Sequence, residues 1–472
     1  MRLLQIFFLL FGITGLAFGT NLSVSVVKRI DKHELTTGTE LKVTWENGWK
    51  NERNHDASWI VVKHLLPGSF VWRHTKIRSA KLANPDPTKP PRFAVRIAPD
   101  ETALLIETTE SHRGKVQVTI YVDLAPEAFA NVKEPSKVKI QAHGTEMVFV
   151  PSGSFFVGET HPRGFNHGAL FKVGASRELF EIGSEDAIDI ANQAGKLYYD
   201  YPATFSPTEV GDKLGPIPAS FPKGFAAFYC MKYEITQGQY AQFLNSLSHD
   251  GIGFRSMLAH PDYRSLRGSI VLRNGKYSAL APNEPLNHVG WEDGSAWLAW
   301  MALRPMTELE FTKASRGPGR PVPRDYPWGT DSKVQIARTF GQNGRLGLSS
   351  VNDEAKLTDS NREQFGASYY WIMDLGSAYW ERVITFGSPA GRAFTGVHGD
   401  GNLYYGFQFV ASWPKGDIRG SGYGYRGGGY YDAKNPGDEH VPHSPTEYRR
   451  YGAWSDGPRT MAYGFRGVRS GF

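Results

Sequence analysis

A lone thiol, two histidines in an acidic stretch and a tail crowded with tyrosine and arginine are the side chains of this sequence that invite a chemical reading. Cys230 is the single cysteine among 472 residues, so no internal disulfide can form and any thiol chemistry rests on one residue. It lies in the apolar run FAAFYCMKY, where cysteine reads as a small buried hydrophobe. His440 and His443 stand with Asp438 and Glu439 in GDEHVPH. Imidazole and carboxylate are metal ligands, but Pro442 forbids a helical pair and a solvated loop is the expectation. HGDGN, His398 to Asn402, offers oxygen ligands or a turn. Gly416 to Gly429, GDIRGSGYGYRGGG, has the glycine density of a phosphate loop without the strand–turn–helix context that one needs. Backbones that must approach closely explain it better. Tyr430, Tyr431, Tyr448, Tyr451 and Trp454 are interleaved with Arg449, Arg450 and Arg459. Aromatics with arginine serve either a recognition surface for peptide or sugar, or the pinning of a loop-rich core.

The elements that would carry these residues fall into two kinds. From Leu22 to about Ala142 the chain runs in short alternating or β-branched segments, LSVSVV, ELKVTW, SWIVVKHLL, RFAVRIA, ALLIETT, KVQVTIYVD and KVKIQA, separated by turn residues. That spacing predicts an antiparallel β-sandwich, immunoglobulin-like in architecture although no Cys-Trp-Cys signature is present. His33, His55, His64 and His74 fall in this region without the i, i+4 spacing of a helical metal pair. After Glu146 an apolar strand meets a glycine turn, and a long irregular stretch follows to about Pro222. Thr236 and Gln239 are spaced as a capping box ahead of an apolar face of Tyr240, Phe243, Leu244 and Leu247, so a helix is predicted from Thr236. WEDGSAWLAWMAL predicts a second helix. TELEFTKASRG predicts a third, with Thr307 and Glu310 as its capping box and Gly317 as its stop. Beyond Gly329 the sequence is rich in Gly, Tyr and Trp and has little helical period.

Composition sets the outer limits. With 40% hydrophobic, 13% aromatic and 21% charged residues the chain can fill two cores. A net charge of +6 is spread along the chain among acids, which argues against a nucleic-acid partner. MRLLQIFFLLFGITGLAFGTN places Arg2 before an apolar run that ends in small residues, with Ala17 and Gly19 at the spacing of a cleaved signal peptide. No cysteine follows for lipidation, and no second apolar run reaches spanning length. The expected location is secreted, periplasmic or at a bacterial cell surface, with no integral membrane segment in the mature protein. The expected division is 1–19 signal peptide, 20–143 β-sandwich and 144–472 second domain.

That second domain resembles the formylglycine-generating, or sulfatase-modifying factor, family. MVFVPSGSFFVG resembles the family's opening strand, YEITQGQYAQFLNSL its first helix, and HVGWEDGSAWLAWMALRPMTELEFTKASRG its second helix and the Arg-x-x-Thr-Glu-x-Glu helix start. YPWG (Tyr326 to Gly329), MDLGSAYWERV (Met373 to Val383), YRGGGYY (Tyr425 to Tyr431) and YGFRGVR (Tyr463 to Arg469) follow in family order. The resemblance implies an α+β fold of the C-type lectin kind, with few regular elements held by ordered loops and calcium.

In the family's oxidases two cysteines beyond the Arg-Gly-Gly strand hold copper. Alignment on Arg426, Gly427 and Gly428 places Asp432 and about Gly437 there, and neither is a soft ligand. Formylglycine generation is therefore not expected, and neither is copper. The family's iron-dependent members draw ligands from an appended helical domain, which the β-rich N-terminal region does not match, so iron is not expected either. The family's Asn/Asp-x-x-Gly-Asn-x-Trp-Glu calcium loop reads here as Asp374, Ser377, Tyr379 and Glu381, hard oxygens that suit calcium. The competing reading is that Glu381 pairs with a nearby arginine. Thr339 replaces an asparagine of the second calcium loop, which is not carried over. The expected function is a non-catalytic, calcium-stabilised binding or assembly component of the cell envelope, by analogy with members in secretion and gliding machinery. Its partner would be an envelope protein or a glycan, and its recognition surface Tyr430, Tyr431, Asp432, Tyr448, Arg449, Tyr451 and Trp454. The alternative is a metal-dependent oxidoreductase with non-thiol ligands near Asp432, His440 and His443.

Overall fold

The computed structural model describes residues 22–32, 36–85, 88–90, 92–130, 132–134, 137–265, 267–332, 338–340, 346–348, 359–417, 420–428, 444–457 and 459–472. The expected signal peptide, His33, Tyr430, Tyr431, Asp432, His440 and His443 lie outside them.

Nine strands form the N-terminal region. They are β1 (Ser23–Lys32), β2 (Thr36–Lys50), β3 (Asp56–Leu65), β4 (Arg73–Thr75), β5 (Ile77–Leu82), β6 (Phe93–Ile97), β7 (Leu104–Thr108), β8 (His112–Leu124) and β9 (Lys139–Val150). One four-stranded sheet runs β1-β2-β8-β5. Its inner side chains, among them Leu41, Val43 and Trp45 of β2 and Val116, Ile120 and Val122 of β8, meet Ile60 and Val62 of β3 and Leu104 and Ile106 of β7 in one apolar cluster. The second sheet does not end with the N-terminal region. In order it runs Arg304–Pro305, Gly467–Ser470, Phe228–Met231, β9, β3, β7, β6, with β4 also on β3.

The joint is β9. Its residues from Lys139 to Val148 pair antiparallel with Leu65 to Asp56 of β3, while Met147 to Val150 pair on the other edge with Met231 to Phe228. The boundary expected at 143/144 therefore falls inside a continuous strand. β3 is buried on both faces for the same reason: Ile60 and Val62 face the N-terminal cluster, and Ala57, Trp59 and Val61 face the larger core beyond.

That larger core is built around four helices, α1 (Gln237–Leu244), α2 (His249–Arg255), α3 (Trp291–Trp300) and α4 (Glu308–Arg316). Both capping boxes read from the sequence are present, at Thr236 with Gln239 and at Thr307 with Glu310. α4 stops at Gly317 with φ of 69°, a left-handed turn that glycine adopts without strain. Strand is more frequent than helix, and much of the chain from Gly158 onward is ordered loop, consistent with the α+β class. Among the described residues no helix is long and apolar enough to cross a membrane.

Candidate functional site

A small sheet at the C-terminal end gathers most of the residues singled out above. Trp380–Ile384 pairs antiparallel with Tyr423–Arg426 and parallel with Tyr463–Gly464. Its rings form a largely buried aromatic wall: Tyr425 lies 4.4 Å from Tyr463 and 5.6 Å from Trp454, and Trp380 lies 5.9 Å from Tyr448 and 5.7 Å from Tyr451. Arg382 runs beneath it, 4.9 Å from the Tyr425 ring and 5.1 Å from the Tyr463 ring, and donates to the carbonyls of Val289 and Gly457. Among the described residues, the buried hydroxyl of Tyr448 has no hydrogen-bond partner. The segment 429–443 is rooted beside this wall: the chain leaves at Gly428 and returns at Ser444, whose N–H donates to Gly427 O (3.4 Å).

Behind the wall are ion pairs. Glu308 of α4 accepts from Arg449 Nε (2.6 Å), Arg449 Nη2 (3.1 Å), Arg426 Nη2 (2.9 Å), Thr385 Oγ1 (2.8 Å) and the Phe386 N–H (3.1 Å). Burial pushes its carboxyl up, but Arg449 and Arg426 together hold it below the usual glutamate value. Arg449 is therefore a core residue with no exposed surface, and this corrects its assignment to the recognition surface. Tyr448 is likewise buried, and Tyr451 and Trp454 are half-buried as part of the wall. Arg459 is held on Asp293 of α3, with Nε to Oδ2 and Nη2 to Oδ1 both at 2.7 Å.

The loop matched to a calcium site runs from Asp374 to Glu381. Glu381 gives one oxygen to Arg466 Nε (2.8 Å) and the other to Arg466 Nη2 (2.7 Å), the ion-pair arrangement weighed against calcium above. Arg466 spans the interior, donating also to the carbonyls of Met231, Lys232 and Met373. Sequence reasoning missed a third acid here, Glu234 of the YEIT segment. Its Oε1 accepts the Tyr379 N–H (3.2 Å), while its buried Oε2 has no hydrogen-bond partner. A Cβ at Gly464 would fall 1.8 Å from that Oε2, so glycine there makes room for the carboxylate. Burial raises the Glu234 pKa strongly, Glu381 and Asp374 add to the rise, and Arg466 opposes it. Of these buried acids, Glu381 takes the Arg466 guanidinium directly, and Glu234 feels its field. Among the described residues, however, no three His, Cys, Asp or Glu side chains form a ready-made metal group.

The other candidates resolve into structure. Cys230 lies in Phe228–Met231 between β9 and Gly467–Ser470, has no exposed surface, and burial pushes its thiol up to about 12. His398 accepts from the Ser470 N–H, and Asp400 caps Asn402, so HGDGN is a turn. Asp417 accepts the Glu292 N–H at the start of α3, which gives the glycine-rich stretch a capping role. His55 bonds Glu107, His64 bonds Thr75 and His74 bonds Lys63, each with a separate partner.

Comparison with known proteins places these features in context. The model for the sulfatase-modifying factor enzyme 1-like domain matches residues 132–470. A formylglycine-generating enzyme from Thermomonospora curvata is 33% identical over 123 residues, covering 24% of this chain and 39% of that protein. A hercynine oxygenase from Mycobacterium tuberculosis is 25% identical over 126 residues, covering 24% of this chain and 30% of that protein. The chain spans about a third of the length of these relatives.

Proposed function

This chain belongs to the sulfatase-modifying factor enzyme 1-like family, and from that premise we propose that it is an exported, non-catalytic member serving as a binding or assembly component of the cell envelope. The observation that carries the loss of thiol chemistry is Cys230. It is the only cysteine, it is fully buried inside a β-ladder, and its thiol is pushed up to about 12. A nucleophilic or copper-binding sulfur must ionise and be reachable, and this one does neither. The named activities of the two relatives belong to those proteins and do not transfer with the domain.

The binding half of the proposal draws support from the aromatic wall beside the root of segment 429–443. Tyr451 and Trp454, both half-buried, would meet a ligand there, while Tyr430, Tyr431 and Asp432 lie outside the described residues. Calcium enters as a proposal as well. Asp374, the carbonyls of Ser377 and Tyr379, and Glu381 would hold the ion. The buried Glu234 Oε2, which has no hydrogen-bond partner, supports an oxygen-seeking divalent cation beside this loop. Calcium would have to share Glu381 with Arg466, so we expect binding to be modest and visible as a saturable rise in Tm over protein treated with EDTA. No rise would remove calcium from the proposal. We read 20–143, with the sheet it shares, as an immunoglobulin-like accessory unit.

The deciding experiment pairs two measurements on the purified mature protein. Mass spectrometry of a cysteine-containing sulfatase peptide after incubation should find its cysteine unchanged, and a pull-down from envelope extract should recover a specific partner. An aldehyde product, or stoichiometric copper or iron in the protein as isolated, would overturn the non-catalytic reading in favour of an oxidoreductase using His440 and His443.

A further inference from the structure

On a face separate from the aromatic wall, a cavity of about 500 Å³ opens between the segment joining β3 to β4 and the loop 400–406, within the range of small-ligand sites. Trp72, Arg73, Asn402, Tyr404 and Tyr405 line it, over a floor that includes the edge of Trp300. The rings are presented to solvent: Tyr404 is 63% and Tyr405 49% exposed, with Phe409, 66% exposed, beside Tyr404.

The presentation is rigid. Tyr404 and Phe407 exchange backbone hydrogen bonds (3.0 and 2.9 Å) around a two-residue turn in which Tyr405 has φ of 49° and Gly406 of 79°. A positive φ at tyrosine is strained by about 1 kcal/mol or more, and the half-exposed Tyr405 ring packs on Tyr404 rather than into the core. The turn is also anchored from below. A Cβ at Gly406 would come within 2.9 Å of Gly251 Cα in α2, and one at Gly401 within 2.2 Å of the His74 ring. Lys63 Nζ donates to the carbonyls of Gly401 (2.7 Å) and Trp300 (2.6 Å), tying loop, α3 and β3 together. The opposite wall is fixed by the Trp72 N–H on Ser246 O (3.3 Å).

Three neighbouring exposed rings, Tyr404, Tyr405 and Phe409, form a contiguous aromatic patch beside the cavity, the kind of surface that marks a binding site. The chemistry of the lining selects the class of ligand. Two tyrosines at 4.5 Å and nearly perpendicular, with a tryptophan across the cleft, offer flat apolar faces edged by hydroxyls. Asn402 and Arg73 offer hydrogen-bonding groups, the serines at 246 and 248 being already bonded to Phe243 O and the Gly251 N–H, and no carboxylate is among the lining residues. Apolar C–H faces alternating with hydroxyls are the surface that such a cleft complements. We propose that this cleft is a binding site for a neutral oligosaccharide, with Tyr404 and Tyr405 as its stacking platform. It shares no residue with the aromatic wall and stands or falls independently of the function proposed above.

Affinity electrophoresis of the full chain through gels containing β-glucan, galactomannan, xylan or starch tests this directly. At least one polysaccharide should retard migration saturably. Tyr404→Ala should weaken that retardation at least tenfold with Tm unchanged. Tyr405→Gly, which relieves the positive φ, should weaken binding while leaving Tm equal or higher, an outcome that a purely structural role would not give. Failure of all four polymers to retard the protein, retardation unaffected by both variants, or association with anionic lipid vesicles in place of polysaccharide would each overturn the proposal.

Discussion

Replacing Glu308 by alanine should cost the protein more than any single surface change, and the structure says how much. The carboxylate accepts five hydrogen bonds, three of them from Arg426 and Arg449, and all three ionic residues are fully buried. Removing one partner of a buried pair costs about 3–5 kcal/mol because the other charge is left without compensation. Here two guanidinia lose their counter-ion, and arginine cannot escape by deprotonating. Arg426 keeps the Thr446 carbonyl, Arg449 keeps the Gly168 carbonyl, and the charge of Glu447 still reaches both guanidinia, which offsets part of the loss. We expect Glu308→Ala to destabilise by about 4 kcal/mol or more, and Glu308→Gln by about 3 kcal/mol, since the amide oxygen can still accept from Thr385 and Phe386. Urea unfolding followed by tryptophan fluorescence measures both. The Glu308→Ala, Arg449→Met double variant should lose less than the sum of the singles. A cost under about 1 kcal/mol for Glu308→Ala at unchanged m-value would mean that water or an anion reaches the site, and the argument from a dry ionic core would fail.

Three further outcomes follow from the same coordinates. Burial holds His143 down to about 4, against 6.5 for a free imidazole. The unfolded chain therefore takes up a proton that the folded one refuses: the His143 contribution is full above pH 6.5 and falls by about 3 kcal/mol as pH drops toward 4, alongside those of His64 and His288, which burial also holds down to about 4. His143→Gln should flatten that part of the Tm–pH curve, and an unchanged slope would refute the assignment. Cys230 should resist a thiol-specific reagent in the native protein and react stoichiometrically in denaturant; rapid native labelling would contradict the buried ladder position. Arg466→Lys should cost about 3 kcal/mol in urea unfolding, because an ammonium cannot span Glu381 and three carbonyls at once; near-neutral stability would count against the bridging role.

What the sequence disclosed and what it withheld divide along the range of the interactions. Thr236 with Gln239 and Thr307 with Glu310 could be read because a capping box closes within four residues, and the alternating runs of β1 and β8 could be read because the strand period is local. The division at 143/144 could not. β9 owes its continuity to two different partners, β3 on one edge and Phe228–Met231 on the other, and neither ladder leaves a mark near Gly144. Arg449 looked like a recognition residue among tyrosines, and only the fold reveals that Glu308, 141 residues earlier, claims it. Glu234 went unread because a single acid in YEIT carries no spacing signal. The Tyr-Tyr-Gly turn at 404–406 held a usable hint, two aromatics before a glycine, that no chemistry-bearing motif drew attention to.

A domain with so little regular structure must still satisfy its backbone, since a buried carbonyl without a donor costs as much as a lost hydrogen bond. Here arginine supplies the donors that a sheet would. Arg466 reaches Met231, Lys232 and Met373; Arg382 reaches Val289 and Gly457; Arg316 reaches Gly158; and Arg469 reaches Ala302. A guanidinium offers five donors in one plane, so each can tie loops far apart in sequence, and each buried charge then needs an acid. That requirement accounts for Glu381 beside Arg466 and for Asp325 and Glu447 around Arg316. None of these groups is a thiol or an exposed nucleophile. The interactions that hold the described fold therefore do not depend on a thiol, and the tyrosine cleft proposed as a sugar site is built on the same frame, from both the N-terminal strands and the loop-rich region.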